Sequence, residues 1–385
     1  MIAGLQREID AALAARARLC GRSVRETAAA LAAAGARWRS DPALSSKLPE
    51  AAHLGAGMVR AVLPIVASQL DAALLCEVHA REASGTPPAL VAHVLASNVP
   101  GLAVPAIALS CLAGAATVVK SGRADRLSAP AFHRALAAVD PDLAATVVTA
   151  YWPGGATDVE DAILGRADLV VASGADASVG TLARRLGTRV VAQGGRTSVA
   201  VALGDVDDAV VAGLATDVAL YEQRGCLSPH RVFVVGDAAG LAERLRAALD
   251  DVARSLPRPP ATTAERAAHR LAVEEARFGG ATVLESTGGT VIVGGTATEV
   301  GRRTVFVHAL ETAGEVGTRI APATVECVGV AGVVLDADML RRRGVARLCP
   351  IGAMQRPRID WPRGQRPALG SLFRLPSEPR IQVEA

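Results

Sequence analysis

Six cysteines are present, and one of them, Cys226, is set apart by its neighbours. The stretch YEQRGCLSPHRVFVV, Tyr221 to Val235, places it between Gly225 and the turn pair Ser228-Pro229, just ahead of the run Val232, Phe233, Val234, Val235. That β-branched and aromatic run reads as a strand, so the thiol lies on the loop leading into it. A loop of this kind presents a side chain to a cleft, and the missing Cβ of Gly225 lets a ligand approach the backbone. A thiolate there is a nucleophile for acyl groups; the other reading of Cys226 is a small buried hydrophobe, a common environment for free cysteine. His230, four residues on, offers a base, but it reads better as a partly buried strand residue, because catalytic cysteine and histidine are usually distant in sequence.

The elements that must hold this loop follow from hydrophobic spacing. Leu5 to about Trp38 is rich in Ala and Arg with helical spacing, closed by Ser40-Asp41-Pro42. A second helical region runs from roughly Glu50 to His79, with Met58, Val62, Ile65, Val66 and Leu70 on one face. From Leu90 onward strands and helices alternate. Val91 to Ala96 reads as a strand, Val104 to Leu112 as a buried helix, Ala116 to Val119 as a strand ending in Lys120, and Ala144 to Ala150 as a strand. Asp158 to Leu164 reads as a helix, Leu169 to Ala172 as a strand, Ala177 to Leu186 as a helix, and Arg189 to Ala192 as a strand. This alternation predicts a doubly wound parallel sheet, with ligands at the carboxyl ends of its strands. After Gln193-Gly194-Gly195-Arg196 come apolar Thr197 to Leu203, a helix from Val206 to Tyr221, the cysteine loop, an amphipathic helix from Ala239 to Arg254, and strands within Thr282 to Val293 and Thr304 to Leu310. The tail from Arg356 to Arg380 holds six Arg and five Pro and reads as extended.

Composition excludes several classes. The formal net charge is +3, with 41 basic residues set against 38 acidic ones, and the arginines are dispersed, so nucleic acid is not an expected partner. The cysteines are far apart without zinc-site spacing, which predicts reduced thiols in a cytoplasmic protein and no metal. The start MIAGLQREID lacks the pattern of an export signal. Val99 to Val119 is uncharged and long enough to cross a bilayer, but Pro100, Gly101, Pro105 and Gly114 divide it, so a strand, a turn, a short buried helix and a second strand explain it better than a membrane span.

Three stretches line up with the cysteine: Leu95-Ala96-Ser97-Asn98-Val99-Pro100, Thr117-Val118-Val119-Lys120-Ser121-Gly122, and Gln193-Gly194-Gly195-Arg196. In this order they resemble the aldehyde dehydrogenase superfamily, with its strand-Asn-x-Pro, Val-Val-Lys, Gly-Gly turn and downstream nucleophilic cysteine. The segments DVALYEQRGCLSPHRVFV, VARLCPIGAMQRPRIDW and LPEAAHLGAGMVRAVLP are similar to its acyl-CoA reductase branch, which includes the fatty-acyl reductases of bacterial bioluminescence. The likeness runs over most of residues 45 to 375. The fold it implies is α/β and aldehyde-dehydrogenase-like: N-terminal helices and a dinucleotide-binding domain in residues 1–196, a second, smaller α/β catalytic lobe in 197–345, and an extended C-terminal segment in 346–385.

The resemblance implies that Cys226 accepts the acyl group of a coenzyme A or carrier-protein thioester while the Asn98 amide and the Cys226 backbone N–H meet the oxyanion, a donor worth about 10²–10³ in rate. Taken alone, Asn98 is equally a turn residue before Pro100. Hydrolytic members carry a glutamate two residues before the Gly-Gly pair. Here that position is Ala192, which suits exchange with a thiol over hydrolysis unless another carboxylate, such as Glu222, serves. In the superfamily, Lys120 contacts the ribose and phosphate side of the dinucleotide, and an acidic residue three positions later favours NAD. Arg123 stands there with Arg126 nearby, which points to NADPH; two solvated arginines are the alternative. Ser173 and Gly174, in the loop that opens the next helix with Asp176 as a cap, are the further expected cofactor contacts. The superfamily usually pairs through its sheet edges, so a dimer or larger homo-oligomer is expected. Rival readings are a conventional aldehyde dehydrogenase, an acyl-phosphate reductase, or a non-catalytic partner-binding member on the same scaffold.

Overall fold

The computed structural model describes residues 1–295, 301–332, 335–373 and 382–384. It divides into two compact units, the first made mainly of Met1–Gly195 and the second mainly of Arg196–Pro357. The stretches 358–360 and 366–373 join the first, while 361–365 and 382–384 join the second. The part of the proposed extended tail between residues 374 and 381 lies outside the described residues.

The first unit opens with five helices: α1 (Ile2–Arg18), α2 (Val24–Trp38), α3 (Pro42–Ala51), α4 (Ala56–Ala67) and α5 (Ala72–Glu82). The helical spacing from Leu5 to Trp38 is broken into two because Gly21 takes φ +86° and Ser23 then caps α2 in a capping box with Glu26. Met58, Val62, Ile65, Val66 and Leu70, the expected inner face, are all buried.

Five strands follow: β1 (Leu90–Val94), β2 (Ala116–Lys120), β3 (Val147–Ala150), β4 (Leu169–Ser173) and β5 (Val190–Gln193). They form one sheet in the order β3-β2-β1-β4-β5, every pairing parallel. Its crossovers are α6 (Ala103–Leu112), α7 (Ser128–Ala137), the short α8 (Pro141–Ala144), α9 (Thr157–Leu164) and α10 (Asp176–Leu186). Every residue of α6 is buried, which accounts for the uncharged run from Val99: it is a helix sealed against a sheet whose strands are themselves covered. β3 begins at Val147, later than the Ala144 expected from sequence, because Asp140 accepts from Leu143 N at 3.0 Å and caps a helical turn first. Among the described residues no single helix is long and apolar enough to cross a membrane.

The second unit is built on an eight-stranded sheet. Its strands are β6 (Thr197–Leu203), β7 (Pro229–Val235), β8 (Thr282–Glu285), β9 (Thr290–Val293), β10 (Thr304–Leu310), β11 (Val325–Ala331), β12 (Arg347–Pro350) and β13 (Gln382–Val383). The order is β13-β12-β11-β6-β7-β10-β9-β8, parallel except for the β8/β9 pair. One face packs Ala200, Val232 and Val234 against α11 (Asp208–Ala219) and α12 (Ala238–Ser255); the other packs Val199, Val201 and Phe233 with Val316 and Leu340. A further helix, α13 (Thr263–Phe278), and the strands β11 and β12 have no counterpart in the sequence reading.

Candidate active site

The polypeptide reaches Cys226 through an unusual turn. α11 ends at Ala219, short of the Tyr221 expected from its pattern, and Tyr221, Glu222 and Gln223 then take φ of 58°, 54° and 61°. Three consecutive non-glycine residues in the left-handed region cost about 1–2 kcal/mol each, so tertiary contacts must hold them. Glu222 forms a fully buried ion pair with Arg303, whose guanidinium also donates to Leu256 O at 2.8 Å. The Gln223 amide donates to Pro229 O at 2.8 Å and Thr304 O at 2.9 Å and accepts from Thr304 N at 2.9 Å. This bolts the turn to the first residues of β7 and β10. Glu222 is therefore spent as an internal partner, and the idea that it replaces the missing general base is not supported by its position.

Cys226 itself lies in the turn between that clamp and β7, half-buried. Ser198 on β6 donates its hydroxyl to Cys226 O at 2.7 Å and accepts from Cys327 N at 3.1 Å. Ser228 N donates to Gly225 O at 3.1 Å, and the Gln355 amide donates to Ser228 Oγ at 2.9 Å. His230 is buried on β7.

The charges around the thiol are the feature that sequence reasoning missed. Burial pushes the Cys226 thiol up to about 12 and Glu326 adds to this, while Arg363 and Arg196 act in the opposite direction. Glu326, on β11, is buried and faces Arg196 Nε at 2.5 Å, with Gly364 N donating to it at 3.0 Å. Burial raises its carboxyl above the ordinary value; Arg196 opposes. The available sequence signal was a lone carboxylate in the run Val325–Ala331, whose other residues are apolar, since a charge on a central strand needs a partner.

The remaining expected residues sit in the first unit, along the carboxyl edge of its parallel sheet. Asn98 is exposed on the loop between β1 and α6. Lys120 ends β2 opposite Val94, half-buried; desolvation lowers its pKa and Glu160 opposes. Arg123 is exposed, and its N–H donates to Ser97 Oγ at 2.7 Å. The intervening Gly122 is forced by space, because a Cβ there would fall 2.5 Å from Ala96 O. Arg126 lies over the Tyr151 ring, 3.5 Å from its centroid. Ser173 donates to Gln193 Oε1 at 2.8 Å, and Gly174, at φ +152°, has open space where a side chain would stand. Asp176 is not a cap: α10 has Ala175 at that place with no side-chain bond, and the Asp176 carboxylate accepts from Gly195 N at 2.8 Å instead. The strand register thus brings Asn98, Lys120, Arg123, Ser173 and Gly174 to one edge, whereas Cys226 belongs to the second unit. Among the described residues no cluster of three or more His, Cys, Asp or Glu is suited to a metal ion.

These two units, one on a parallel sheet and one on a mixed sheet, are those of an aldehyde-dehydrogenase-like fold. Aldehyde dehydrogenase 21 from Physcomitrella patens matches with a TM-score of 0.75 at 15% identity, over 97% of this chain and 88% of its own. Lactaldehyde dehydrogenase from Escherichia coli matches with a TM-score of 0.71 at 17% identity, over 91% and 83%. Within that class, residues 72–374 match the family described as acyl-CoA reductase (LuxC), and the chain belongs to it. The long-chain acyl-protein thioester reductase of Aliivibrio fischeri is 25% identical over 309 residues, covering 76% of this chain and 64% of the relative. A second such reductase, from Photobacterium leiognathi, is 22% identical over 275 residues, 68% and 58% of the two chains. The chain therefore spans less than two thirds of the length of these curated relatives.

Proposed function

We propose that this protein reduces a long-chain acyl thioester, carried by coenzyme A or a carrier protein, to an aldehyde through an acyl-enzyme on Cys226. The observation that carries the reading is the cysteine turn itself: a half-buried thiol on a doubly clamped platform, in a chain of the acyl-CoA reductase family. The Cys226 thiolate attacks the thioester carbonyl carbon. A new carbon–sulfur bond forms, the donor's carbon–sulfur bond breaks, and the donor leaves as a thiol after taking a proton. The backbone N–H of Cys226 acts as a donor for the oxyanion.

The carboxyl edge of the first sheet suits a dinucleotide: it offers a half-buried lysine, a backbone with open space at Gly174, and two arginines. NADPH bound there would supply the hydride that turns the acyl group into an aldehyde as its bond to the Cys226 sulfur breaks. Lys120 would hold the ribose and phosphate side, Ser173 and Gly174 would be further contacts, and Arg123 would receive the 2′-phosphate. Ala192 stands where hydrolytic relatives carry glutamate, so that position offers no carboxylate to drive water onto the acyl-enzyme, which favours thiol exchange and reduction over release of free acid. A cytoplasmic homo-oligomer is part of the same reading.

The test is incubation with acyl-CoA esters of increasing chain length, followed by intact-mass detection of the acyl-enzyme and by NADPH absorbance. Wild type is expected to gain one acyl mass and, with NADPH, to release aldehyde; Cys226→Ala does neither. Acyl transfer from acyl phosphates but not thioesters, or rapid oxidation of aldehyde to free acid without coenzyme A, overturns the proposal.

A further inference from the structure

Neither glycine of the Gln193-Gly194-Gly195 turn has a positive φ, so backbone conformation does not call for glycine at either place. Space calls for it at one. A Cβ on Gly194 would collide with Asp176 Oδ1 and stand 3.3 Å from Asp176 Cγ, with no other atom beyond its chain neighbours within 4 Å. A Cβ on Gly195 would come no closer than 3.8 Å to any such atom, an ordinary contact. Gly194 is therefore dictated by one carboxylate.

That carboxylate closes a clasp between two loops. β4 and β5 stay in register as far as Ser173 opposite Gln193, and from there outward hydrogen bonds tie the start of α10 to the Gly-Gly turn. Ser173 Oγ donates to Gln193 Oε1 at 2.8 Å, Gly174 N donates to Gln193 O at 3.2 Å, and Gly195 N donates to Asp176 Oδ1 at 2.8 Å. The last of these has an ionised acceptor and is the stronger, charge-assisted kind. Asp176 opens α10 without capping it, so its carboxylate is turned to the Gly-Gly turn and not to its own helix. Every residue of the clasp belongs to the first unit.

We propose that Asp176 is a positioning residue for cofactor binding: its carboxylate fixes the Ser173–Gly174 loop against the end of β5, and position 194 is glycine in order to admit it. The inference rests on the reading of this sheet edge as the dinucleotide site. A loop held in place before its ligand arrives gives up less freedom on binding, so opening the clasp shows as lost affinity.

The experiment titrates the full chain with NADPH, read by nicotinamide fluorescence without turnover, in wild type, Asp176→Ala, Asp176→Asn and Gly194→Ala. Both Asp176 variants remove the charge, and only alanine removes the acceptor for Gly195 N, so the difference between them isolates the hydrogen bond. Asp176→Ala is expected to bind NADPH about five- to tenfold more weakly than Asp176→Asn. Gly194→Ala, which displaces the carboxylate, is expected to weaken binding by itself and to add nothing when combined with Asp176→Ala. Equal affinities of the Ala and Asn variants overturn the proposal, and so does a Gly194→Ala loss that persists undiminished in the double variant. A wild type that binds no NADPH would instead sink the cofactor reading. Urea midpoints of the same proteins would then carry the test of the clasp, with Gly194→Ala expected to destabilise only where Asp176 is present.

Discussion

At the scale of single residues, the first unit offers a cation where a coenzyme phosphate is proposed. Arg123 is exposed beside a loop pinned by Ser97 and by the space that only Gly122 leaves, so its backbone is fixed while its side chain stays available. Arg123→Glu is expected to weaken NADPH binding by about 10- to 100-fold, the loss of one or two charge-assisted hydrogen bonds, while leaving NADH nearly unchanged. Titration of nicotinamide fluorescence reads this without turnover, and unchanged selectivity would return Arg123 to the solvated surface. The positions named from sequence for the first unit could be read because Lys120, Ser173 and Gly174 fall at strand ends and Asn98 and Arg123 on the loops that follow; the roles given to them are part of the proposal. Arg363 and Glu326 could not be read in this way, because their effect depends on a thiol remote from them in sequence, at position 226.

At the scale of elements, α11 carries a second buried carboxylate, Asp217. It is inaccessible to solvent and accepts from Gly352 N at 2.6 Å and Gln355 N at 3.4 Å, so it ties the stretch after β12 to the helix that leads into the cysteine turn. Burial raises its carboxyl from 3.8 to about 6, against the lowering effect of those N–H donors. The folded form therefore holds the proton more tightly than the unfolded one. Between about pH 4 and pH 6 this group lowers stability as pH rises, by an amount on the order of 3 kcal/mol once fully ionised. Denaturant midpoints at pH 4.5 and 7 should show this slope in wild type and a flatter one in Asp217→Asn; parallel slopes would contradict it. The elements that escaped the sequence reading have local causes. α13 is mostly exposed and polar, so it lacks a broad apolar stripe, although Thr262 and Glu265 form a capping box. β11 is interrupted by Glu326 and Gly329, and the left-handed turn after Ala219 contains none of the glycines that usually announce one.

At the scale of the whole molecule, residues after Arg347 serve both units, and Arg347 anchors their start. Its guanidinium is fully buried, paired with Glu384 at 2.7 Å, and donates to Met354 O at 2.7 Å and Ala353 O at 2.9 Å. Arg347→Leu strands a carboxylate and two carbonyls and is expected to cost about 3–5 kcal/mol of unfolding free energy, more than Glu384→Gln. Equal midpoints for the two variants in urea would show that the carbonyl contacts contribute nothing. The alternation of strands and helices made the parallel architecture legible, but nothing in the pattern of Arg and Pro foretold that the tail is shared. The Gln223 clamp has an implication for synthesis. It closes on Thr304, 81 residues further along the chain, so a ribosome must release β10 before the platform beneath Cys226 can lock. Under the proposed function, the Cys226 sulfur is thus kept unprepared until most of the polypeptide exists, and a half-made chain has no assembled platform for the proposed acyl-enzyme.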